Sequence, residues 1–113
     1  MAGVEVRSSD ASDEEFTAEK ARAHRVDVGS HSVWRCTFEP GWRYTEHFEP
    51  ELCKAPHLAF VASGRLHIVM KDGTEAEAGP GSVVVIEPGH DAWTVGDEPC
   101  VFIDFGESLA AAE

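Results

Sequence analysis

Turn signals recur through this sequence and limit it to short strands. From Val26 onward, turns such as Pro40-Gly41, Asp72-Gly73 and Pro88-Gly89 separate β-rich runs, and none of these runs keeps a 3.6-residue period. The predicted strands cover residues 31–39, 57–63, 65–71, 74–78, 82–87, 91–95 and 100–105. We expect about eight or nine short strands in all, and short strands separated by turns of this kind are typical of an all-β sandwich or small barrel, including the jelly-roll type.

The chain has the length of one domain with short flanking segments. We expect an N-terminal extension over residues 1–25, a β-barrel over 26–108 and a C-terminal tail over 109–113. Ser12-Asp13-Glu14-Glu15 has the form of a capping box, in which Ser12 caps a helix and Glu15 follows three residues later. The extension therefore predicts a short helix over 13–22.

The acidic balance of the chain argues against several classes of partner. Its 113 residues contain 21 acidic and 9 basic side chains, which gives a formal net charge of −12. A field of this sign repels phosphate backbones and anionic membranes. We therefore expect neither nucleic acid nor a membrane as a partner.

Two further features bear on the compartment. The N-terminus lacks the basic and apolar regions of a signal peptide, and no run of about 18 apolar residues is present that could span a bilayer. The three cysteines Cys36, Cys53 and Cys100 are an odd, widely spaced set without a CxxC, which fits reduced thiols better than a disulfide framework. We expect a cytoplasmic protein.

One stretch, HFEPELCKAPH from His47 to His57, concentrates side chains that bind metals. On an extended backbone His47 and Glu49 project to the same side, because side chains alternate along a strand. Cys53 lies in the loop that follows, and His57 begins the next predicted strand. His90 follows a later turn and would enter its own strand on an inward face. Imidazoles and carboxylates are common ligands of Zn, Fe, Mn, Ni and Cu, and a thiolate would favour Zn, Fe or Cu.

The spacing of these residues resembles the first motif of the cupin family, whose members are double-stranded β-helix (jelly-roll) barrels with a metal in the mouth. Gly41 is followed after five residues by His47, which matches the first ligand of the motif. Glu49 stands at the second histidine position. His57 occupies the glutamate position, counted back from Gly64.

The second motif of the family is matched mainly by its glycines. Gly81 and Gly89 fall at the expected positions, whereas the proline arrives one place late, at Pro88. The ligand histidine position is taken by Ala92, and His90 on the same predicted face could replace it. The run PGHDAWTVGDEP over residues 88–99 also resembles the corresponding region of short, stand-alone bacterial cupins.

The resemblance implies a cupin barrel with one divalent transition metal (Fe, Mn, Ni, Zn or Cu) and a small-molecule pocket. The expected ligands are His47, His57 and His90, completed by Glu49 or Cys53. We expect a homodimer, because small jelly rolls leave sheet edges that pairing can cover. The first hypothesis for function is a metalloenzyme that acts on a small organic substrate. The alternatives are a non-catalytic module that binds or senses a small ligand, and a purely structural metal site or an empty barrel.

Overall fold

The computed structural model describes residues 3–105, and strands make up most of this region. Its nine strands within these residues are β1 (Glu14–Ala18), β2 (Ala21–Val28), β3 (His31–Phe38), β4 (His57–Ser63), β5 (Arg65–Met70), β6 (Glu75–Ala78), β7 (Val83–Ile86), β8 (His90–Val95) and β9 (Cys100–Asp104). A 3₁₀ turn, Ser9–Ala11, precedes them, and the one-turn helix α1, Tyr44–His47, lies between β3 and β4. In this part of the chain no helix is long and apolar enough to cross a membrane.

Two antiparallel sheets form the barrel. The larger sheet has the strand order β1-β2-β3-β9-β4-β7, and the smaller has the order β6-β5-β8. Both contribute to one hydrophobic core, which includes Phe38, Ala59, Val61 and Phe102 from the larger sheet and Leu66, Ile68, Ala78 and Ala92 from the smaller. This architecture confirms the predicted all-β jelly-roll barrel. The seven strands predicted from the turn pattern are also confirmed, with ends within one residue of those observed.

The predicted helix over 13–22 is wrong. This segment forms β1 and the start of β2, which pair antiparallel around a turn where Lys20 adopts a φ of 61°. Ser12 Oγ lies 3.5 Å from His24 Nδ1, across the hairpin. A capping box is a local signal, whereas β2 also pairs with β3 and buries Ala21 and Val26, so long-range pairing outweighs it.

The expected domain boundaries need a matching correction at the N-terminal end. The boundary between residues 25 and 26 falls inside β2, and the hairpin before it belongs to the larger sheet. The expected tail over 109–113 lies outside the described residues.

A buried carboxylate fixes the segment around α1 against the smaller sheet. Asp91, in β8, is 4 % exposed and accepts hydrogen bonds from Arg43 Nε at 2.7 Å and from Thr45 Oγ1 at 3.0 Å. The guanidinium of Arg43 also lies 4.7 Å from the ring centroid of Trp93. Charge-assisted hydrogen bonds of this kind hold their partners firmly. The segment that carries Tyr44 is thereby tied to the barrel.

Gly64 is the point at which the chain passes from β4 in the larger sheet to β5 in the smaller. Its φ is +75°, and a Cβ built there would lie 2.3 Å from the carbonyl oxygen of Pro99. Two constraints therefore require glycine at this position: a left-handed backbone and a close approach of the main chain. Gly81 also has a left-handed backbone, with a φ of +85°. It has no close contact, because a Cβ there would meet nothing within 4 Å.

We predict that Gly64→Ala destabilises the fold much more than Gly81→Ala. Gly81→Ala is the matched control, and backbone strain alone should lower its free energy of unfolding by about 1 to 2 kcal/mol. At Gly64 the contact with Pro99 adds an overpacking cost, so we expect about 3 to 4 kcal/mol in total. Urea unfolding followed by circular dichroism measures both values. Equal losses of unfolding free energy in the two variants would show that the close approach to Pro99 does not constrain the connection between β4 and β5.

Candidate metal centre

Cys53, His57 and His90 converge at one end of the barrel. Their ligand atoms all lie within 4.8 Å of one another, and Cys53 Sγ is 3.6 Å from His57 Nε2. His57 is the first residue of β4 in the larger sheet, and His90 is the first residue of β8 in the smaller. The cluster therefore bridges the two sheets where these strands begin.

The backbone of Cys53 is held against the start of β8. Its N–H donates to the carbonyl oxygen of His90 at 2.8 Å, and its own carbonyl accepts from the N–H of Gly89 at 2.7 Å. These bonds extend strand-like pairing into the loop before β4. The thiol is positioned by main-chain hydrogen bonds and does not depend on side-chain packing alone.

Both histidine rings are oriented by hydrogen bonds from their Nδ1 atoms. His57 Nδ1 lies 2.6 Å from Asp104 Oδ2, and His90 Nδ1 lies 2.9 Å from the carbonyl oxygen of Glu87. A carboxylate and a carbonyl oxygen accept hydrogen bonds, so each Nδ1 carries a proton and donates it. The Nε2 atom of each ring is then the one available to a metal, as in metal sites whose histidines are fixed by an outer hydrogen-bond partner.

The electrostatics of the cluster favour a thiolate beside an imidazolium when no metal is bound. Burial would raise the pKa of Cys53, but hydrogen bonds from His57 and His90 outweigh it and lower the pKa to about 5. Burial would lower the pKa of His57, but its hydrogen bonds to Asp104 and Cys53 raise the pKa to about 9. At neutral pH, Cys53 is therefore deprotonated and already in the form that binds a metal.

The remaining thiols and the nearby phenol stay protonated at neutral pH. Burial raises the pKa of Cys36 to about 12 and that of Cys100 to about 11. Burial and the neighbouring Cys53 raise the pKa of Tyr44 to about 12. Within residues 3–105, Cys53 is the thiol suited to nucleophilic or metal chemistry.

A cavity of about 150 Å³ adjoins the cluster. Cys53, His57 and His90 line one part of it. The other walls are mainly apolar and aromatic, and they include Phe38, Trp42, Tyr44, Phe48, Ala92 and Phe102. A molecule in this cavity would contact both the candidate ligands and the aromatic rings.

The structure brings together three of the five residues that the sequence proposed as ligands. His47 and Glu49 are not part of the group of Cys53, His57 and His90. The expected extended backbone is absent there, because His47 ends α1 and its Nδ1 lies 3.0 Å from the backbone N of Arg43. Its Nε2 lies 3.8 Å from Glu19. Glu49 is exposed to solvent.

Asp104 is the residue of this centre that the sequence reasoning missed. In the CVFIDF run it shares the inward face of β9 with Cys100 and Phe102, because side chains alternate along a strand. A carboxylate on the inward face of an otherwise apolar strand was the available signal. Its partner, His57, becomes evident only once β4 and β9 are known to pair.

Comparison with known families gives one result that covers most of the described barrel. A family model for the cupin domain matches residues 34–106. No sequence of a curated protein matches significantly.

Solved structures with a similar fold include several enzymes. The polyketide cyclase RemF from Streptomyces resistomycificus has a TM-score of 0.67 and 18% identity, with coverage of 89% of this chain and 77% of its own. A formate complex of oxalate decarboxylase from Lactobacillus farciminis has a TM-score of 0.65 and 18% identity. The match covers 92% of this chain and 33% of the decarboxylase chain. The Fe(II) form of HppE has a TM-score of 0.61 and 12% identity, and the match covers 90% of this chain and 59% of the HppE chain. At these identities the likeness is one of fold.

We predict that iodoacetamide alkylates Cys53 first in the metal-free protein, at a rate nearly independent of pH. Because the thiolate of Cys53 is already formed, its rate constant should change less than about twofold between pH 6.5 and 8.5, whereas an ordinary thiol gains up to tenfold per unit. Peptide mass spectrometry after timed quenching measures this rate. Cys53→Ser is the control, since it leaves Cys36 and Cys100. Faster labelling of either of those, or a tenfold rise per pH unit at Cys53, would contradict the assigned thiolate.

Proposed function

The chain belongs to the cupin family, and we propose that it binds one divalent transition metal through Cys53, His57 and His90 beside a small-molecule pocket. One observation carries this proposal. Both imidazoles are fixed through Nδ1, so their Nε2 atoms are left for a shared ligand next to a thiolate. An orientation of this kind is typical of metal-binding histidines.

The donor set fits a transition metal. One thiolate and two neutral imidazoles are ligands that Zn, Fe and Cu accept readily, whereas Mn prefers oxygen-rich sites. His57 is protonated at neutral pH in the metal-free protein, so metal would replace the proton on its Nε2. Among the metals expected from the sequence, Zn, Fe and Cu are therefore favoured over Mn.

We propose a metalloenzyme for a small organic molecule as the activity. Three protein ligands leave at least one coordination position for substrate, as in catalytic zinc sites. When bound, the metal would supply Lewis-acid chemistry that polarises an oxygen atom of the substrate. Asp104 holds the proton on His57 Nδ1 and keeps the ring in place, and aromatic side chains form much of the cavity wall. The protonated hydroxyl of Tyr44, beside Cys53, is the group that could donate a hydrogen bond or a proton.

The alternative is a cupin that binds or senses a small ligand without turnover. The apolar character of the cavity walls favours this reading, because such walls bind a ligand but transfer no protons. Glu49, which the sequence suggested for proton transfer, is exposed. Release of unchanged ligand after prolonged incubation with the metal-loaded protein would distinguish the module from the enzyme. The homodimer and the cytoplasmic location expected from the sequence stay predictions.

We predict that untagged protein, purified without a nickel column, carries close to one equivalent of metal by elemental mass spectrometry. Cys53→Ser, His57→Ala and His90→Ala should each lose most of it. Loss of a direct ligand should cost more than the roughly 10- to 100-fold in affinity that follows removal of a ligand's hydrogen-bond partner.

His47→Ala is the matched control for this experiment. The family motif places a ligand at His47, whereas the structure holds its ring at the end of α1. We expect this variant to keep its metal. Retained metal in all three ligand variants, or a parent that binds none of Fe, Zn or Cu when they are added, would overturn the proposed site.

We also predict that Asp104→Asn weakens metal binding by about 10- to 100-fold without abolishing it, because the neutral amide orients the His57 ring less firmly. In the metal-free variant the pKa of His57 should fall below that of the parent, since the carboxylate raises it. Competition with a chromophoric chelator measures the affinity, and NMR titration of the ring protons measures the pKa. Asp97→Asn, in an exposed turn, should change neither. An unchanged affinity and pKa in Asp104→Asn would exclude this positioning role.

A further inference from the structure

The size of the cavity beside the metal centre restricts what it can hold. Its volume is about 150 Å³. An engineered apolar cavity of about this volume in another protein holds one benzene molecule. The space therefore fits a single six-membered ring with small substituents.

The walls favour a planar, unsaturated molecule. Phe38 and Trp42 are stacked with centroids 4.0 Å apart, and Phe48 contacts Trp42 edge-on at 5.2 Å. Phe102 lies 6.0 Å from Phe38. Aromatic rings interact with one another through offset or edge-to-face contacts worth more than their buried area alone. An aromatic ligand could join this set of contacts.

Polar groups at the cavity show where the polar atoms of a ligand belong. Of the charged side chains on its walls, Asp104 is bonded to His57, and Arg22 is exposed and paired with Glu39 at 3.3 Å. The cluster formed by Cys53, His57 and His90, with the Tyr44 hydroxyl beside Cys53, is therefore where an electron-donating atom of the ligand would bind.

We propose that the cavity takes a single-ring phenol, with the ring against Phe38, Trp42 and Phe102 and the oxygen on the metal. This substrate class rests on the proposed function, because the metal held by the Cys53, His57 and His90 cluster binds the phenolic oxygen. The size of the cavity matches one ring, the aromatic walls favour a planar molecule, and a metal held by the cluster would bind an oxygen.

The test compares two probes that differ in one oxygen atom. Protein is loaded with one equivalent of Zn²⁺, checked by elemental mass spectrometry, and titrated with 4-fluorophenol and with fluorobenzene while ¹⁹F NMR follows binding. We expect 4-fluorophenol to bind at least about tenfold more tightly than fluorobenzene. Removal of zinc with a chelator should make the difference much smaller. Equal affinities for the two probes, or no binding of 4-fluorophenol to the zinc-loaded protein, would overturn the proposal.

Variants that fill the cavity test the location. Ala92→Leu, next to His90 on β8, and Ala23→Leu, on β2, add bulk from opposite sheets. Each should keep its zinc and lose at least tenfold in affinity for 4-fluorophenol. Two variants are used so that a folding defect in one leaves the other to decide. Ala62→Leu, at an exposed position, should bind like the parent. Unchanged binding in the folded cavity variants would place the phenol elsewhere and sink the proposal.

The two proposals fail in different ways. Full zinc occupancy without preference for 4-fluorophenol overturns the substrate class and leaves the metal site standing. Absence of zinc binding overturns the metal site, and with it the oxygen–metal contact on which the phenol proposal depends. Zinc binding together with a zinc-dependent preference for 4-fluorophenol supports both.

Discussion

The hydrogen bond between His57 Nδ1 and Asp104 Oδ2, 2.6 Å long, is the interaction on which the rest of the centre depends. It turns the Nε2 of His57 towards Cys53 and raises the pKa of the imidazole. The imidazolium in turn helps to keep Cys53 deprotonated in a site where burial alone would favour the thiol. The carboxylate of Asp104 on β9 thus fixes the orientation of the His57 ring. It also favours protonated His57 and, through it, deprotonated Cys53.

The barrel was predictable from the sequence because its signals are local. Pro40-Gly41, Asp72-Gly73 and Pro88-Gly89 mark turns regardless of the surroundings, and the runs between them have room only for strands. The N-terminal hairpin was missed because its determinant is distant. The capping box at Ser12 predicts a helix. The pairing of β2 with β3, which the local sequence does not reveal, explains why this segment forms strands.

The candidate ligands were predictable to the extent that they lie on strands. His57 and His90 begin β4 and β8, where alternation of side chains indicates which face they occupy. His47 was placed incorrectly, because it ends a one-turn helix that holds its ring near Arg43. No local sequence pattern predicted that helix. Asp104 required knowledge of a neighbour that lies 47 positions away in the sequence. Faces could be inferred from periodicity, whereas contacts across strands needed the topology.

The N-terminal hairpin also has a consequence for how this protein can differ from others with the same barrel. Phe16 on β1 lies 5.8 Å from Phe48, edge to face, and both rings reach the cavity, as does Ala23 on β2. These hairpin residues precede residue 34, where the match to the cupin domain begins. One wall of the cavity is thus contributed by a segment outside the shared domain. Substitutions in that segment can reshape the cavity and change which molecules it admits, while the candidate metal ligands and the strands that carry them stay unchanged.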